Sequence, residues 1–192
     1  MSYAKLFAWA NKKTSLPIKV TDVKAWIIEE KLQEQIYFIK ADTNPLVLKG
    51  FVRQYHAPHA VYDHSPDRCA NIYYSSNLNV CWKRFVCCKE MMHIFDSQKA
   101  RASTKDEVRK LLEDMTSPID ISKLSEQQSS EFVCEFYALH VLFPQSIRDQ
   151  LKAQYDAGNM SSYDVALLAR IPEYYIPFAM GDKYQNIKQF LK

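Results

Sequence analysis

Residues 84–96 read RFVCCKEMMHIFD, which is almost the sequence of a zinc-peptidase helix. Within it, Lys89, Glu90 and His93 occupy the first, second and fifth places of a K-E-x-x-H pattern. The zinc-peptidase pattern H-E-x-x-H uses both histidines as ligands and the glutamate as general base, on one face of a helix. Here the first ligand place holds Lys89, whose protonated side chain offers no lone pair to a metal. The pattern alone leaves two interpretations open, a chance match on a charged helix and a zinc site that lacks one ligand.

Composition excludes several classes of protein. A chain of 192 residues with 47% hydrophobic residues is typical of one globular domain with a buried core. Only three glycines occur, which argues against the Gly-rich phosphate loops of P-loop and dinucleotide-binding proteins. The formal net charge of +3 is too small to indicate a basic face for nucleic acid, so direct binding to nucleic acid is not expected.

The distribution of apolar residues and cysteines predicts a cytoplasmic protein. Residues 1–10 lack the charged start and apolar core of a signal peptide. No apolar run approaches the roughly 20 residues that a membrane-spanning helix needs, so no membrane association is expected. The five cysteines are odd in number and form no C-x-x-C pair. We therefore expect free, mostly buried thiols in a reducing compartment.

Runs of β-branched and aromatic residues predict three strands, at residues 36–39, 47–55 and 71–74. Amphipathic stretches before and after them predict helices, including one over residues 79–96 that contains the K-E-x-x-H pattern. Because strands and helices fall in separate parts of the chain, we expect an α+β fold with a small, about three-stranded antiparallel sheet packed on a mainly helical domain. A single domain is expected over residues 1–192, comprising an N-terminal helix (1–18), the sheet and motif helix (20–97) and a helical part (103–192).

A second segment, residues 131–144, reads EFVCEFYALHVLFP and supplies carboxylates that can face the motif. Glu131 and Glu135 lie on successive turns of a predicted helix, an arrangement that is most often a solvated face. Taken together, the two segments resemble the ImmA/IrrE family of zinc-peptidase-like proteins over roughly residues 20–180. The residues that carry the resemblance are Arg84, Phe85, Glu90, His93, Glu131, Ala138, Leu142 and Pro144, with Gly50, Asn77 and the segments 164–169 and 171–176 as flanking features.

The resemblance implies a zincin-like α+β fold and an intracellular protein. In active members, two histidines and a later glutamate bind zinc, and the motif glutamate activates water. Carried over by position, Glu90 is the candidate catalytic base and His93 and Glu131 are the candidate metal ligands. The first ligand place falls on Lys89, which breaks the family pattern. Many members bind or cleave helix-turn-helix repressors, and others are toxins with such a repressor as antitoxin.

Loss of one of three ligands should weaken zinc binding severely. We therefore expect the Lys89 ammonium to replace the metal and to pair with Glu131 and Glu90, with exposure of Lys89 to solvent as the alternative. This predicts an impaired zinc-peptidase site without a tightly bound cofactor, in a protein that binds a helix-turn-helix regulator. The alternatives are a zinc-dependent endopeptidase that uses Glu90, His93, Glu131 and a borrowed ligand, and a toxin of a toxin–antitoxin pair.

Four further histidines lie outside the motif, three of them close together and one alone. His56, His59 and His64 lie within nine residues, a spacing that fits an exposed loop or, alternatively, a loop that folds over the cleft and donates the missing ligand. His140 follows Glu131 by nine residues, or two and a half helical turns. It should therefore point away from Glu131, toward the surface or a partner.

Overall fold

Strands and helices occupy separate parts of the chain, as expected for an α+β fold. A computed structural model describes residues 3–30, 32–33, 35–56, 68–97, 100, 106, 109–110, 124–182 and 184. In these residues the elements are α1 (Tyr3–Asn11), α2 (Val20–Glu29), β1 (Gln35–Ala41), β2 (Gly50–His56), β3 (Arg68–Ser75), α3 (Val80–Met92), a 3-10 turn (His93–Phe95), α4 (Glu126–Leu142), α5 (Gln145–Asp156), α6 (Ser162–Ala169), a second 3-10 turn (Glu173–Tyr175) and α7 (Ile176–Met180).

The three strands form one mixed sheet in the order β1-β3-β2. The predicted α+β class and three-stranded sheet are confirmed, but the expectation of an antiparallel sheet is wrong for one pair. β2 pairs antiparallel with β3, from Gly50 opposite Tyr74 to His56 opposite Arg68. β1 pairs parallel with β3, from Gln35 opposite Cys69. The chain direction reverses before and after β2, so β1 and β3 run in the same direction. Because β3, the strand with the most buried side chains, lies between β1 and β2, it is the parallel neighbour of β1.

Helix α3 carries the motif and lies directly on the sheet. Its first turn is capped by Asn79, whose side chain accepts a hydrogen bond from the Trp82 amide at 2.9 Å. Gly50 permits the close approach, because a Cβ atom there would overlap the Val86 side chain and lie 2.8 Å from the Tyr73 carbonyl oxygen. The same Cβ would lie 3.5 Å from Cγ of Glu90. The glycine in β2 therefore sets how close the motif helix sits to the sheet.

Helix α4 packs against α3 and supplies the second half of the candidate site. It begins with a capping box, in which Ser125 accepts from the Gln128 amide and the Gln128 side chain accepts from the Ser125 amide. Tyr3 of α1 lies across the α3–α4 junction, with its hydroxyl donating to the Met92 carbonyl at 3.0 Å and its ring 3.7 Å from that of Tyr137. One hydrophobic cluster thus extends from α1 through α3 and α4 to the last helices.

The burial of single residues agrees with one sequence-based expectation and contradicts another. All five cysteines are free, and four of them are buried, as predicted. His140 is 8% exposed and its ring stacks on Tyr184 at 4.1 Å, so the predicted surface position is wrong. No helix among the described residues is both long enough and apolar enough to cross a bilayer.

Candidate functional site

The K-E-x-x-H residues lie at the C-terminal end of α3, on the side that faces α4. Glu90 is 2% exposed, and His93 is the residue at which α3 ends and the 3-10 turn begins. Glu131, in the second turn of α4, has a side chain that is 18% exposed. The structure thus brings the candidate site residues Glu90, His93 and Glu131 together with Lys89.

The ammonium of Lys89 contacts both carboxylates. Nζ donates a hydrogen bond of 3.0 Å to Oε1 of Glu90 and a short one to Oε2 of Glu131. The Lys89 side chain is only 13% exposed, so the alternative in which it extends into solvent is wrong. The predicted pairing of Lys89 with Glu131 and Glu90 is confirmed.

The pKa shifts at this pair follow from burial and from the opposite charges. Burial favours the neutral lysine, but the charges of Glu90 and Glu131 outweigh it, and the pKa of Lys89 is raised. Burial likewise favours a neutral Glu131, but the charges of Lys89 and of the nearby His93 hold the pKa of Glu131 well below its usual range. Both groups of the pair are therefore ionised at neutral pH.

The two ring nitrogens of His93 face different groups. Nε2 lies 3.4 Å from Oε1 of Glu131, a distance that suits an ion pair, but the geometry makes no hydrogen bond to any described residue. Nδ1 lies 2.7 Å from Oδ2 of Asp96. Burial lowers the pKa of His93, yet its interactions with Asp96, Cys134 and Glu131 outweigh burial and raise that pKa well above its usual value.

A polar cluster behind His93 was missed by the sequence analysis. Oγ of Ser130 donates to Oδ2 of Asp96 at 2.7 Å, and Sγ of Cys134 lies 3.5 Å from Nδ1 of His93. The donor atoms of His93, Asp96 and Cys134 all lie within 4.8 Å of one another, so this group could hold a metal ion. One signal was available, because Asp96 and Cys134 follow His93 and Glu131 by three residues each and so lie one helical turn further on.

Glu135 and Tyr175 are two further titratable residues on which the charge of Lys89 acts. Burial raises the pKa of Glu135, against the lowering effects of the Lys89 charge and of a hydrogen bond with Tyr175. Burial and the negative charge of Glu135 in turn raise the pKa of Tyr175. Lys89 thus interacts with three glutamates, two of which it contacts.

At the motif itself, the residue in the first ligand place contacts both carboxylates. A metal-bound water needs a ligand set with an open position and a carboxylate that is free to take the proton. The first ligand place is a protonated lysine, and both Glu90 and Glu131 are engaged by it. What the motif offers instead is a buried, charge-balanced cluster of Lys89, Glu90, Glu131 and His93.

The histidine-rich loop lies largely beyond the described part of the chain. His56 ends β2 and is exposed, and it lines an open hollow with Arg68 and Ile94. His59 and His64 lie outside the described residues, so a ligand borrowed from this loop stays a prediction.

Comparisons with protein-family models, with curated proteins and with solved structures find no match. The resemblance to the ImmA/IrrE family therefore depends on the order and spacing of the residues that carry it. The pairing of Lys89 with Glu131 is the one expected from their charges, because an ammonium occupies the first ligand place.

Proposed function

We propose that this chain is an ImmA/IrrE-like protein with an impaired zinc-peptidase site, which acts by binding a regulatory protein of the helix-turn-helix repressor or antitoxin type. The observation that supports this proposal is the contact of one ammonium, that of Lys89, with both Glu90 and Glu131. By the resemblance these are the catalytic base and the third zinc ligand. Lys89, which stands in the place of the first ligand, therefore also binds the other two functional carboxylates.

The electrostatics explain why a lysine is tolerated at this place. Without a cation, two carboxylates held close together in a buried site repel each other and lose solvation. The Lys89 ammonium neutralises them as a metal would, but it brings neither a Lewis acid nor an open coordination position. The zincin-like framework can therefore persist while hydrolysis is lost.

Binding of a protein partner is supported by the residue types exposed at the C-terminal helices. Tyr163 and Leu167 lie one turn apart on α6 and are 62% and 61% exposed, and Tyr174 in the following turn is 78% exposed. Exposed tyrosine and leucine side chains on neighbouring elements are typical of protein–protein interfaces.

The metal part of this proposal is tested with Lys89→His, which rebuilds H-E-x-x-H. We expect titration with Co²⁺ to show a site in Lys89→His that disappears in the double variant Lys89→His/Glu131→Gln. The wild-type chain should lack any site that needs the Glu131 carboxylate as a ligand. A wild-type site that is lost in Glu131→Gln would contradict the proposal and favour the active peptidase.

The binding part predicts that a gene beside this chain's encodes a small helix-turn-helix protein, and the product of that gene is the partner to test. Calorimetric titration should give a stable complex, and gel electrophoresis after incubation with Zn²⁺ should show the partner intact. Tyr174→Ala and Leu167→Ala should weaken the complex, whereas Lys152→Ala on α5 should not. Absence of binding would overturn the proposal, and cleavage of the partner that Glu90→Gln abolishes would replace it with the endopeptidase.

A further inference from the structure

His93 separates two sets of ligand atoms in this protein. Its Nε2 faces Glu131, on the side of Lys89. Its Nδ1 faces Asp96, Ser130 and Cys134, on the side of the 3-10 turn that follows α3. The second set shares no other residue with the K-E-x-x-H arrangement, and the function proposed above makes no use of it.

The second set has the donor atoms that zinc prefers. It combines an imidazole nitrogen, a carboxylate oxygen and a thiol sulfur. Zinc binds these three atom types at about 2.0–2.3 Å, whereas magnesium and calcium favour sites made of oxygen atoms alone. Sulfur and nitrogen together therefore select a transition metal of borderline softness.

The spacing of the three donors is close to that of a tetrahedral site. From the usual bond lengths, the ligand atoms of tetrahedral zinc are about 3.3–3.6 Å apart. Sγ of Cys134 lies 3.5 Å from Nδ1 of His93 and 3.9 Å from Oδ1 of Asp96. Nδ1 lies 2.7 Å from the other oxygen of Asp96, Oδ2, and this hydrogen-bonded pair must open by about half an ångström where Oδ2 is the ligand.

We propose that Nδ1 of His93, a carboxylate oxygen of Asp96 and the thiolate of Cys134 form a binding site for Zn²⁺ or a similar divalent transition metal, separate from the K-E-x-x-H place. The metal displaces the protons on Nδ1 and on the Cys134 thiol, which pass to solvent. The fourth position falls to a water or to the hydroxyl of Ser130, which lies 3.4 Å from Nδ1.

Two features around the cluster fit a metal site. With Nδ1 bound to metal, the proton of His93 resides on Nε2, which is now a buried atom without a hydrogen-bond partner among the described residues. It then points its proton at Glu131, 3.4 Å away, which is the carboxylate–histidine–metal arrangement of many metal sites. An open hollow of about 390 Å³ borders Asp96 and Ser130, and it supplies a route for the ion and for a water ligand.

The site would join two elements that are distant in sequence. His93 and Asp96 belong to the turn after α3, and Cys134 belongs to α4. A metal there ties the end of the motif helix to α4, across the junction that Tyr3 covers. The expected role is therefore structural, since the three protein ligands hold two helices together.

The test uses the full-length chain, without a polyhistidine tag, produced in medium supplemented with Co²⁺. We expect one cobalt per chain and a thiolate-to-cobalt charge-transfer band in the near ultraviolet. Cys134→Ser should abolish the band, whereas Cys88→Ser, which removes another fully buried thiol, should retain it. Glu131→Gln should keep the band with an affinity lower by about 10–100-fold, because Glu131 acts only through His93.

The outcomes that would overturn the proposal are a chain that binds no cobalt, a cobalt spectrum without the thiolate band, and a band that persists in Cys134→Ser. Near-ultraviolet circular dichroism establishes whether each variant is folded. X-ray absorption of the zinc-loaded wild-type chain identifies the types of ligand atom around the metal without the need for a variant. We expect one sulfur and three nitrogen or oxygen ligands, and a shell without sulfur would contradict the site.

Discussion

At the scale of single residues, the charge at position 89 determines what the motif can do. A histidine there would complete a ligand set for a doubly charged ion, whereas Lys89 places a single positive charge on its own side chain beside Glu90 and Glu131. The cation is covalently attached and cannot be exchanged, so the carboxylates stay neutralised without any metal. The cost is that each partner of the pair now depends on the other for its solvation.

Removal of this cation should destabilise the protein. In Lys89→Met, Glu90 and Glu131 are left close together and buried, so we expect the free energy of unfolding to fall by about 3 kcal/mol in urea titrations. The double variant Lys89→Met/Glu131→Gln should recover part of that loss. Lys152→Met is the matched control, because its partner Asp156 is exposed, and it should change stability by less than about 1 kcal/mol. Equal losses in Lys89→Met and Lys152→Met would show that the Lys89 pair contributes no more to the free energy of unfolding than an exposed ion pair does.

The same pair predicts how stability depends on pH. The pKa of Glu131 is lower in the folded chain than in the unfolded chain, so its contribution is present above the unfolded value of about 4.3 and is lost as the pH falls toward the folded value. The free energy of unfolding should therefore decrease from roughly pH 5 to pH 2. Glu131→Gln should flatten this decrease. Identical pH profiles for the two proteins would contradict the assignment of the pair.

The residues of the site differ in how far they could be predicted. Lys89, Glu90 and His93 follow from helix geometry, and the role of Glu131 follows from charge and from the resemblance. Asp96 and Cys134 each follow a candidate ligand by three residues, but such spacing is common on helices, and Ser130 lies in a polar run that marks no site. Their convergence depends on the angle at which α3 ends against α4, which is a property of tertiary packing.

At the scale of elements, Gly50 links the sheet to the motif helix. Any side chain there meets the Val86 side chain and the Tyr73 carbonyl, so Gly50→Ala should lower the free energy of unfolding by about 1–3 kcal/mol. Gly158→Asn is the control, because Gly158 has a positive φ of 72° with open space around it, and asparagine tolerates that conformation. Thermal unfolding followed by circular dichroism measures both. A Gly50→Ala chain as stable as wild type would show that α3 does not lie closely on β2.

The capping box of α4 gives a second prediction for an element. Ser125→Ala removes the acceptor for the Gln128 amide and should cost about 1 kcal/mol, with the first turns of α4 most affected. Hydrogen exchange should show faster exchange in residues 126–131 than in α5, where no bond changes. Ser161→Ala removes the equivalent box of α6 and serves as the comparison. Unchanged exchange in α4 would mean that packing alone fixes its start.

The positions of the strands were predictable from the sequence, whereas the pairing between strands was not. Local residue type and alternation indicate each strand, and all three predicted strands are present. Which strands pair depends on which one the core buries most, and β3 took the centre. A parallel β1–β3 pair leaves no signal in a short window of sequence, because its partners lie more than thirty residues apart.

At the scale of the whole molecule, one hydrophobic cluster joins α1 to the C-terminal helices and places the site within the core. The segregation of strands and helices was enough to predict the α+β class. The burial of His140 was not predictable, because it depends on Tyr184, far along the chain, stacking on its ring. A local stretch of sequence carries no sign of such a contact.

The position of the proposed metal site within this core leads to a prediction for global stability. A ligand that binds only the folded chain stabilises it by about 2.7 kcal/mol at a concentration one hundred times its dissociation constant. For a chain of this size, the midpoint of thermal unfolding should then rise by about 5–10 °C in saturating Zn²⁺ and fall again on chelation. Cys134→Ser should show no such rise, while Glu131→Gln should keep it at a higher zinc concentration. A rise in wild type that Cys134→Ser retains and Glu131→Gln loses would place the ion at the K-E-x-x-H motif instead, because only that site requires the Glu131 carboxylate as a ligand.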